Sequence, residues 1–359
     1  MPIVGDVTHD PRGGGTTTAQ PSTRTAAYVE RLGGADEIVV GPLPVPPLGP
    51  TEVLVAVEAT AVNHVDTFVR SGRWRTTTPF PFVIGRDLVG RVVDVGPAVT
   101  GFRPGDRVWS NSMGHGGRQG VAASLVAVDQ ERLYPVPDGV DPVDLVAAVH
   151  PAATAWLALH VHARAQAGEV LLVIGAAGNV GAALVALGDD AGVRVIASCG
   201  PEHHEDVRAL GADGVIGRVT AEDVAASVRG VLGDLAPDGV DVVIDTSGSL
   251  DPGALLPLLR PRGRVVVLAG GATSASFQQG DLYQRDLSVV GFVISRAKVS
   301  ELADVAAGIG PLLAEGRLRP ARIEELPLSD AAAAHRRLEQ GTLRGTRIVL
   351  RPPAPSLVE

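Results

Sequence analysis

The chain has 359 residues, 45% hydrophobic and 20% charged, with a formal net charge of −9. The length allows about two domains. An acidic balance without a long basic run excludes nucleic acid and an anionic membrane surface as expected partners, which leaves a small-molecule substrate. No apolar run of roughly 18 residues and no signal-peptide core is visible, so no membrane span and a cytoplasmic location are expected. The single cysteine, Cys199, excludes an intramolecular disulfide and any multi-cysteine zinc site. Lys298 is the only lysine, so anion binding must fall to arginine or histidine.

Residues 1–24 lack a hydrophobic period and read as a disordered tail. From Thr25 short strands and turns follow. Ala26–Glu30 and Ile38–Val40 flank a Gly-Gly turn, a proline-rich loop runs over Pro42–Pro50, and Glu52–Ala59 alternates as a half-buried strand. Asn63–Gly72 reads as a short helix and Leu88–Val95 as a strand. GFRPGDRV, 101–108, turns into a further strand, and Trp109–Gly120 is a glycine-rich loop. Short strands at close intervals point to a small β-barrel.

After Asp141 the pattern changes. Val143–Val161 is apolar, alanine-rich and helical. Strands at Val170–Ile174, Arg194–Ser198, Val215–Ile216, Val240–Asp245 and Arg264–Leu268 then alternate with helices at Gly178–Ala191, Glu202–Leu210, Ala221–Gly233 and Pro252–Leu259. The strands are nearly continuous Val/Ile/Leu runs, as in a parallel sheet buried on both faces. A doubly wound α/β fold is the economical reading. Leu287–Ile294 reads as one more strand, Glu301–Glu315 and Asp330–Gln340 as helices, and Arg347–Leu350 as a closing strand.

The organising stretch is GEVLLVIGAAGNVG, 168–181. A strand stops at Gly175, and Gly178 and Gly181 follow at steps of three before a helix. Gly175 permits the tight turn, Gly178 a close phosphate, and Gly181 close helix–sheet packing. Ala177, Asn179 and Val180 complete the turn that lays a helix N-terminus against a pyrophosphate.

The order of EVLVAVEATAVNHVDTFVRSG, PFVIGRDLVGRVVDVGPAVTGFRPGDRV, GAAGNVG, GVDVVIDTSG and RRLEQGTLRGTRIVL resembles the medium-chain dehydrogenase/reductase superfamily, in its zinc-free quinone oxidoreductase and enoyl reductase branch. The resemblance implies a GroES-like β-barrel catalytic domain built from 25–148 and 295–359. A Rossmann NADP-binding domain, 149–294, is inserted between. It also implies a homodimer paired through the strand near Val289–Ile294. Zinc-dependent relatives place ligands where this chain has Asn63, Arg86-Asp87 and His150. An amide and a guanidinium are poor company for zinc, so no metal is expected. A site rebuilt from His64, Asp87 and His150 is the lesser reading.

The strand ending Ala197-Ser198-Cys199-Gly200 has no acid for a ribose diol, which favours NADPH. Ser198, His203 (or His204), Arg208 and Arg218 are the candidate 2′-phosphate partners, against solvated helix-start residues. The resemblance places Asn63 toward nicotinamide and substrate, against a helix cap. It places Phe68 where a tyrosine is common, here a pocket wall without a hydroxyl. Arg86 and Asp87 line the pocket or pair with each other. His115, in the loop with Trp109 and Asn111, is one candidate proton donor, against a solvated side chain. His150 is the other, against a core histidine. Thr154, Thr246, Gly270, Phe292, Val293, Ile294 and Arg347 are expected along the cofactor, Arg347 equally as an exposed strand charge. The expected activity is a zinc-independent, NADPH-dependent reduction of a quinone or of the β-carbon of an α,β-unsaturated carbonyl. The alternatives are a non-catalytic NADPH-binding protein of the crystallin type and a tailoring reductase for one complex natural product.

Overall fold

The computed structural model describes residues 22–220, 232–343 and 345–355. Residues 1–21 of the tail expected over 1–24, and 221–231 of the helix expected over 221–233, lie outside them. The first half runs β1 (Thr23–Val29), β2 (Val39–Pro44), β3 (Glu52–Ala61), α1 (His64–Ser71), β4 (Phe82–Val83), β5 (Asp87–Val95), β6 (Arg107–Ser110), β7 (Leu125–Asp129) and β8 (Tyr134–Pro135). Then come α2 (Pro142–Trp156), β9 (Val170–Ile174), α3 (Asn179–Asp190), β10 (Arg194–Ser198), α4 (His204–Ala209), β11 (Gly214–Ile216), β12 (Val240–Asp245), β13 (Leu259–Val267) and β14 (Ser288–Gly291). The chain closes with α5 (Val299–Ala314), β15 (Arg322–Pro327), α6 (Ala331–Glu339) and β16 (Thr346–Arg351).

Six strands form a parallel sheet in the order β11-β10-β9-β12-β13-β14. β9 is central and all five of its residues are buried. The strand order reverses on either side of β9, so its carboxyl end, Gly175, is the switch point where such sheets bind ligands. A seven-stranded sheet draws β3, β5, β6, β7 and β8 from the first half and β15 and β16 from the end of the chain. β1, β2 and β4 make a third, small sheet.

Between the two large sheets lies α2, which packs on α3, α5, β3 and β5. Its start is fixed by Asp141, whose Oδ1 accepts from the N–H groups of Val143 and Asp144 at 2.8 and 3.1 Å. It runs into a wider, π-type turn at Leu157–His162. By length and composition this stretch, Pro142–His162, could cross a membrane, contrary to the sequence reading; most of it is buried in the core. A helix apolar all round is what a core between two layers requires.

Other expectations need correction. β1 begins at Thr23, so the last two residues assigned to the tail are in a strand. The proline-rich loop starts late because β2 continues through Pro44; β2 is an edge strand, which tolerates proline. β7 and β15 were not anticipated. The strand expected over Leu287–Ile294 stops at Gly291, because a 3-10 turn occupies Ile294–Arg296.

Candidate active site

The glycine turn is built as the spacing suggests. Gly175 has φ +78°, and a Cβ there would stand 2.6 Å from Thr246 Oγ1. A Cβ on Gly181 would stand 2.2 Å from Gly175 O, whereas one on Gly178 would be 3.3 Å from the same oxygen. Gly178, the N-cap of α3, is exposed, with Ala177, Asn179 and Val180 half-buried around it. The first-turn N–H groups of a helix have no intrahelical acceptor and suit a pyrophosphate. Thr246 is not free for cofactor, since its hydroxyl donates to Ile174 O at 2.9 Å and closes the turn from β12. Gly270 has φ +82° and lies against Gly248, where a Cβ would be 2.3 Å from the Gly248 carbonyl oxygen.

The end of β10 departs from the sequence reading. The Ser198 hydroxyl is buried, donates to Gly217 O at 3.0 Å and accepts from Val219 N–H at 3.1 Å, so it is not a phosphate ligand. An acid does stand at this strand end. Glu202 folds back until its Oε2 is 2.4 Å from the position a Gly200 Cβ would take. Arg218 holds it at 3.3 Å and His203 Nε2 lies 4.0 Å away. His203 and Arg218 are thus neighbours, as the phosphate reading requires, but with a carboxylate between them.

The catalytic-side residues converge on a buried polar network. Asn63 is the N-cap of α1, and a capping box with Asp66 fixes it: Asp66 Oδ2 accepts from the Asn63 N–H at 2.8 Å. The Asn63 side chain donates from Nδ2 to Asp87 Oδ2 at 2.6 Å and accepts at Oδ1 from Arg347 Nη2 at 2.7 Å. Its amide is therefore spent inside the protein, and it positions neighbours rather than facing a substrate. Arg347 also donates to Ala147 O at 3.0 Å and is buried, neither a surface charge nor a cofactor ligand. Asp87 Oδ1 lies 3.4 Å from His150 Nδ1. The His150 imidazole is partly exposed, and no described residue partners its Nε2. Thr154 donates to the His150 carbonyl at 2.9 Å, along α2 itself.

Arg86 does not pair with Asp87 as expected. Its nearest carboxylate is Asp66, 3.8 Å from Nε, and none of its three nitrogens donates a hydrogen bond among the described residues. Burial pushes the Asp66 carboxyl up to about 6, with Arg86 pulling the other way. Sequence reasoning missed Asp66, although the N-x-x-D spacing of a capping box was there to read.

His115 is buried, not solvated. Arg118 Nη2 lies 2.9 Å from its Nε2, and Nδ1 is 3.1 Å from Met113 O. Nε2 also faces Ser295 O at 3.0 Å. Burial and Arg86 push its pKa down to about 4, so it carries no ionisable proton to give near neutrality. Trp109 is core as well: its indole donates to Pro135 O at 3.1 Å and its ring meets Tyr134 at 4.8 Å. Asn111 is buried with neither amide atom partnered. Phe68 is half-buried with the Arg73 guanidinium 4.5 Å over its ring. Phe292 stacks on His162 at 4.2 Å, Val293 leads into the 3-10 turn, and Ile294 is buried.

Residues 49–138 match the alcohol dehydrogenase GroES-like domain, and residues 210–350 match the zinc-binding dehydrogenase family. The quinone oxidoreductase of Mus musculus is 31% identical over 300 residues, 83% of this chain and 88% of that protein. The chain belongs to the medium-chain dehydrogenase/reductase superfamily, in its quinone oxidoreductase and enoyl reductase branch. This oxidoreductase is also 33% identical over 332 residues to the spectinabilin polyketide synthase system protein NorB of Streptomyces orinoci, covering 90% of this chain and 14% of that protein. A crystal structure of an NAD-dependent alcohol dehydrogenase superposes with a TM-score of 0.78 at 30% identity, covering 91% of this chain and 99% of that one. Oxidoreductases of this superfamily bind a nicotinamide dinucleotide, and the glycine turn fits one.

Zinc does not fit this oxidoreductase in the same way. The donor set at the Asn63–Asp87–His150 place includes an amide already bound by the Arg347 guanidinium, and Arg86 adds a second fixed positive charge nearby. Among the described residues no group of three or more His, Cys, Asp or Glu could hold a metal ion.

Proposed function

We propose that this oxidoreductase uses NADPH, without zinc, to reduce a quinone or the β-carbon of an α,β-unsaturated carbonyl. The observation that carries the reading is the Arg347–Asn63–Asp87–His150 chain. It fills the place of a Lewis acid with guanidinium, amide and an imidazole beside a buried carboxylate. Bound at the glycine turn, the cofactor supplies a hydride. Negative charge then develops on the substrate oxygen, and hydrogen-bond donors in the cleft hold it. His150 is the side chain left to deliver a proton, from Nε2, with Asp87 3.4 Å from Nδ1 on its other side. This replaces the hydroxyl that Phe68 lacks.

Support for NADPH over NADH comes from Arg218 and His203 at the end of β10. Glu202 is the opposing feature, and its pairing with Arg218 offsets its charge. The match to a polyketide synthase protein over 90% of the chain favours a complex natural-product enone as one form of the substrate.

The test is consumption of NADPH and of NADH with a panel of quinones and enones, before and after treatment with a chelator. The proposal expects NADPH oxidation that is indifferent to chelation. Activity abolished by the chelator and restored by zinc would refute the metal-free reading.

A further inference from the structure

Three arginines from three separate elements gather around residues 112–115, one of them, Arg86, next to Asp87 in the chain. Arg118 comes from the glycine-rich loop, Arg132 from the turn after β7, and Arg86 from the residue before β5. Arg118 Nη2 donates to Ser112 O at 3.3 Å, and Arg132 Nη1 donates to Ser112 Oγ at 2.9 Å. Arg86 joins the same loop through its carbonyl, which accepts from Met113 N–H at 3.3 Å. Neither Arg118 nor Arg132 pairs with a carboxylate among the described residues.

Other arginines of the chain do find acids, as Arg264 finds Glu169 at 2.6 Å and Arg337 finds Glu324 at 2.7 Å. Asp66, 3.8 Å from Arg86, is the one carboxylate paired with any of the three among the described residues, and like charges repel. Arg118 is pushed down to about 10, first by burial, then by Arg132 and Arg86. Two polar side chains at the cluster are also unsatisfied. All three Arg86 nitrogens are buried without a hydrogen-bond partner, and so are both amide atoms of Asn111. Buried donors left open cost free energy unless a ligand or water takes them. The cofactor pyrophosphate is provided for elsewhere, at the glycine turn of β9.

We propose that Arg86, Arg118 and Arg132 form a subsite for an anionic group, carboxylate or phosphate, carried by the substrate. The inference rests on the reductase reading and deepens it by giving the substrate a charge. Guanidinium groups bind such oxyanions through paired N–H donors. A cationic patch on an acidic protein also draws an anionic substrate to the cleft.

The experiment compares matched pairs. One pair is 4-oxopent-2-enoate and its methyl ester. The other is crotonyl-coenzyme A and the crotonyl thioester of N-acetylcysteamine. Each is assayed with NADPH on wild type, Arg118→Gln and Arg132→Gln, with thermal melting to confirm folding. The proposal expects the charged member of one pair to have a kcat/KM at least about tenfold higher, about 1.4 kcal/mol. That preference falls in whichever of the two variants folds and weakens as salt rises. The pair that shows it distinguishes a carboxylate from a phosphate-bearing tail. Equal kcat/KM within each pair, or a preference indifferent to both substitutions, overturns the subsite. If none of the four compounds oxidises NADPH, the reductase reading has failed for these substrates. Titration calorimetry with 4-oxopentanoate and with free coenzyme A then decides the subsite. Binding of either that is lost in Arg118→Gln or Arg132→Gln upholds it, and binding of neither, or binding unchanged in the variants, removes it.

Discussion

Asp87 and His150 meet with Oδ1 and Nδ1 at 3.4 Å, one at the start of β5 and the other in α2. Asp87 is fully buried and its other oxygen is fixed by Asn63, while Oδ1 lies against the ring without a hydrogen bond to Nδ1. His150→Gln should lower kcat for enone reduction by about 100-fold, the lower end of what a positioned acid contributes. KM for NADPH should stay within about twofold, because the glycine turn is untouched. Asp87→Asn should lower kcat less. Steady-state kinetics across pH checks both. An unchanged kcat in His150→Gln would remove His150 from the proton path.

The three glycines of the turn should not respond equally to alanine. At Gly181 a Cβ would press on the Gly175 carbonyl at 2.2 Å, and at Gly175 it would meet Thr246 in a left-handed backbone. At Gly178 the contact is 3.3 Å, which a small shift relieves. Gly181→Ala and Gly175→Ala should raise the NADPH dissociation constant tenfold or more, about 1.4 kcal/mol, and Gly178→Ala by less. Fluorescence titration of NADPH with each variant gives the ranking.

Glu202 and Arg218 should move cofactor preference in opposite directions. Arg218→Ala should lower kcat/KM for NADPH about tenfold, about 1.4 kcal/mol, and shift preference toward NADH. Glu202→Gln removes the carboxylate that now occupies Arg218, and should raise the NADPH-to-NADH ratio. The ratio of the two kcat/KM values is the readout; the opposite signs would mean that Glu202 serves a ribose diol.

Stability should fall with acid in a window set by buried histidines. His335 in α6 is 1% exposed, and burial pushes its pKa down to about 3 from an ordinary 6.5. The unfolded chain therefore binds a proton below pH 6.5 that the folded chain refuses. The stability this group contributes is fully present above pH 6.5 and is lost as pH falls toward 3. His115, pushed down to about 4, adds in the same direction over the upper part of that window. Each such group contributes a slope of up to about 1.4 kcal/mol per pH unit. Urea unfolding from pH 7 downward should show a shallower fall in His335→Gln than in wild type.

Much of the nucleotide-binding half was legible because its signals are local. β9, β10 and β12 match the sequence-based bounds residue for residue, since buried parallel strands are continuous apolar runs ended by glycine or polar residues. The turn at Gly175–Gly181 was legible for the same reason. The catalytic side was harder, because its contacts join distant parts of the chain. Arg347 reaches Asn63 from the last strand, and no window of sequence shows that. Asn63 was expected toward nicotinamide and substrate, against a helix cap; it is the N-cap of α1 and its amide is occupied. His115 looked solvated among glycines, but the loop folds inward and buries it. The strand end itself carries no acid in the sequence, but a 3-10 turn at Pro201–His203 brings Glu202 back to it.

The central claim is hydride delivery to a conjugated carbon without a metal. The most direct measurement is reduction of 3-penten-2-one by NADPH deuterated at the nicotinamide C4, in ordinary water after chelation, with the product read by mass spectrometry and NMR. The account predicts one deuterium on the product's β-carbon and a solvent hydrogen on the α-carbon. Deuterium on the carbonyl carbon, giving an allylic alcohol, would contradict it.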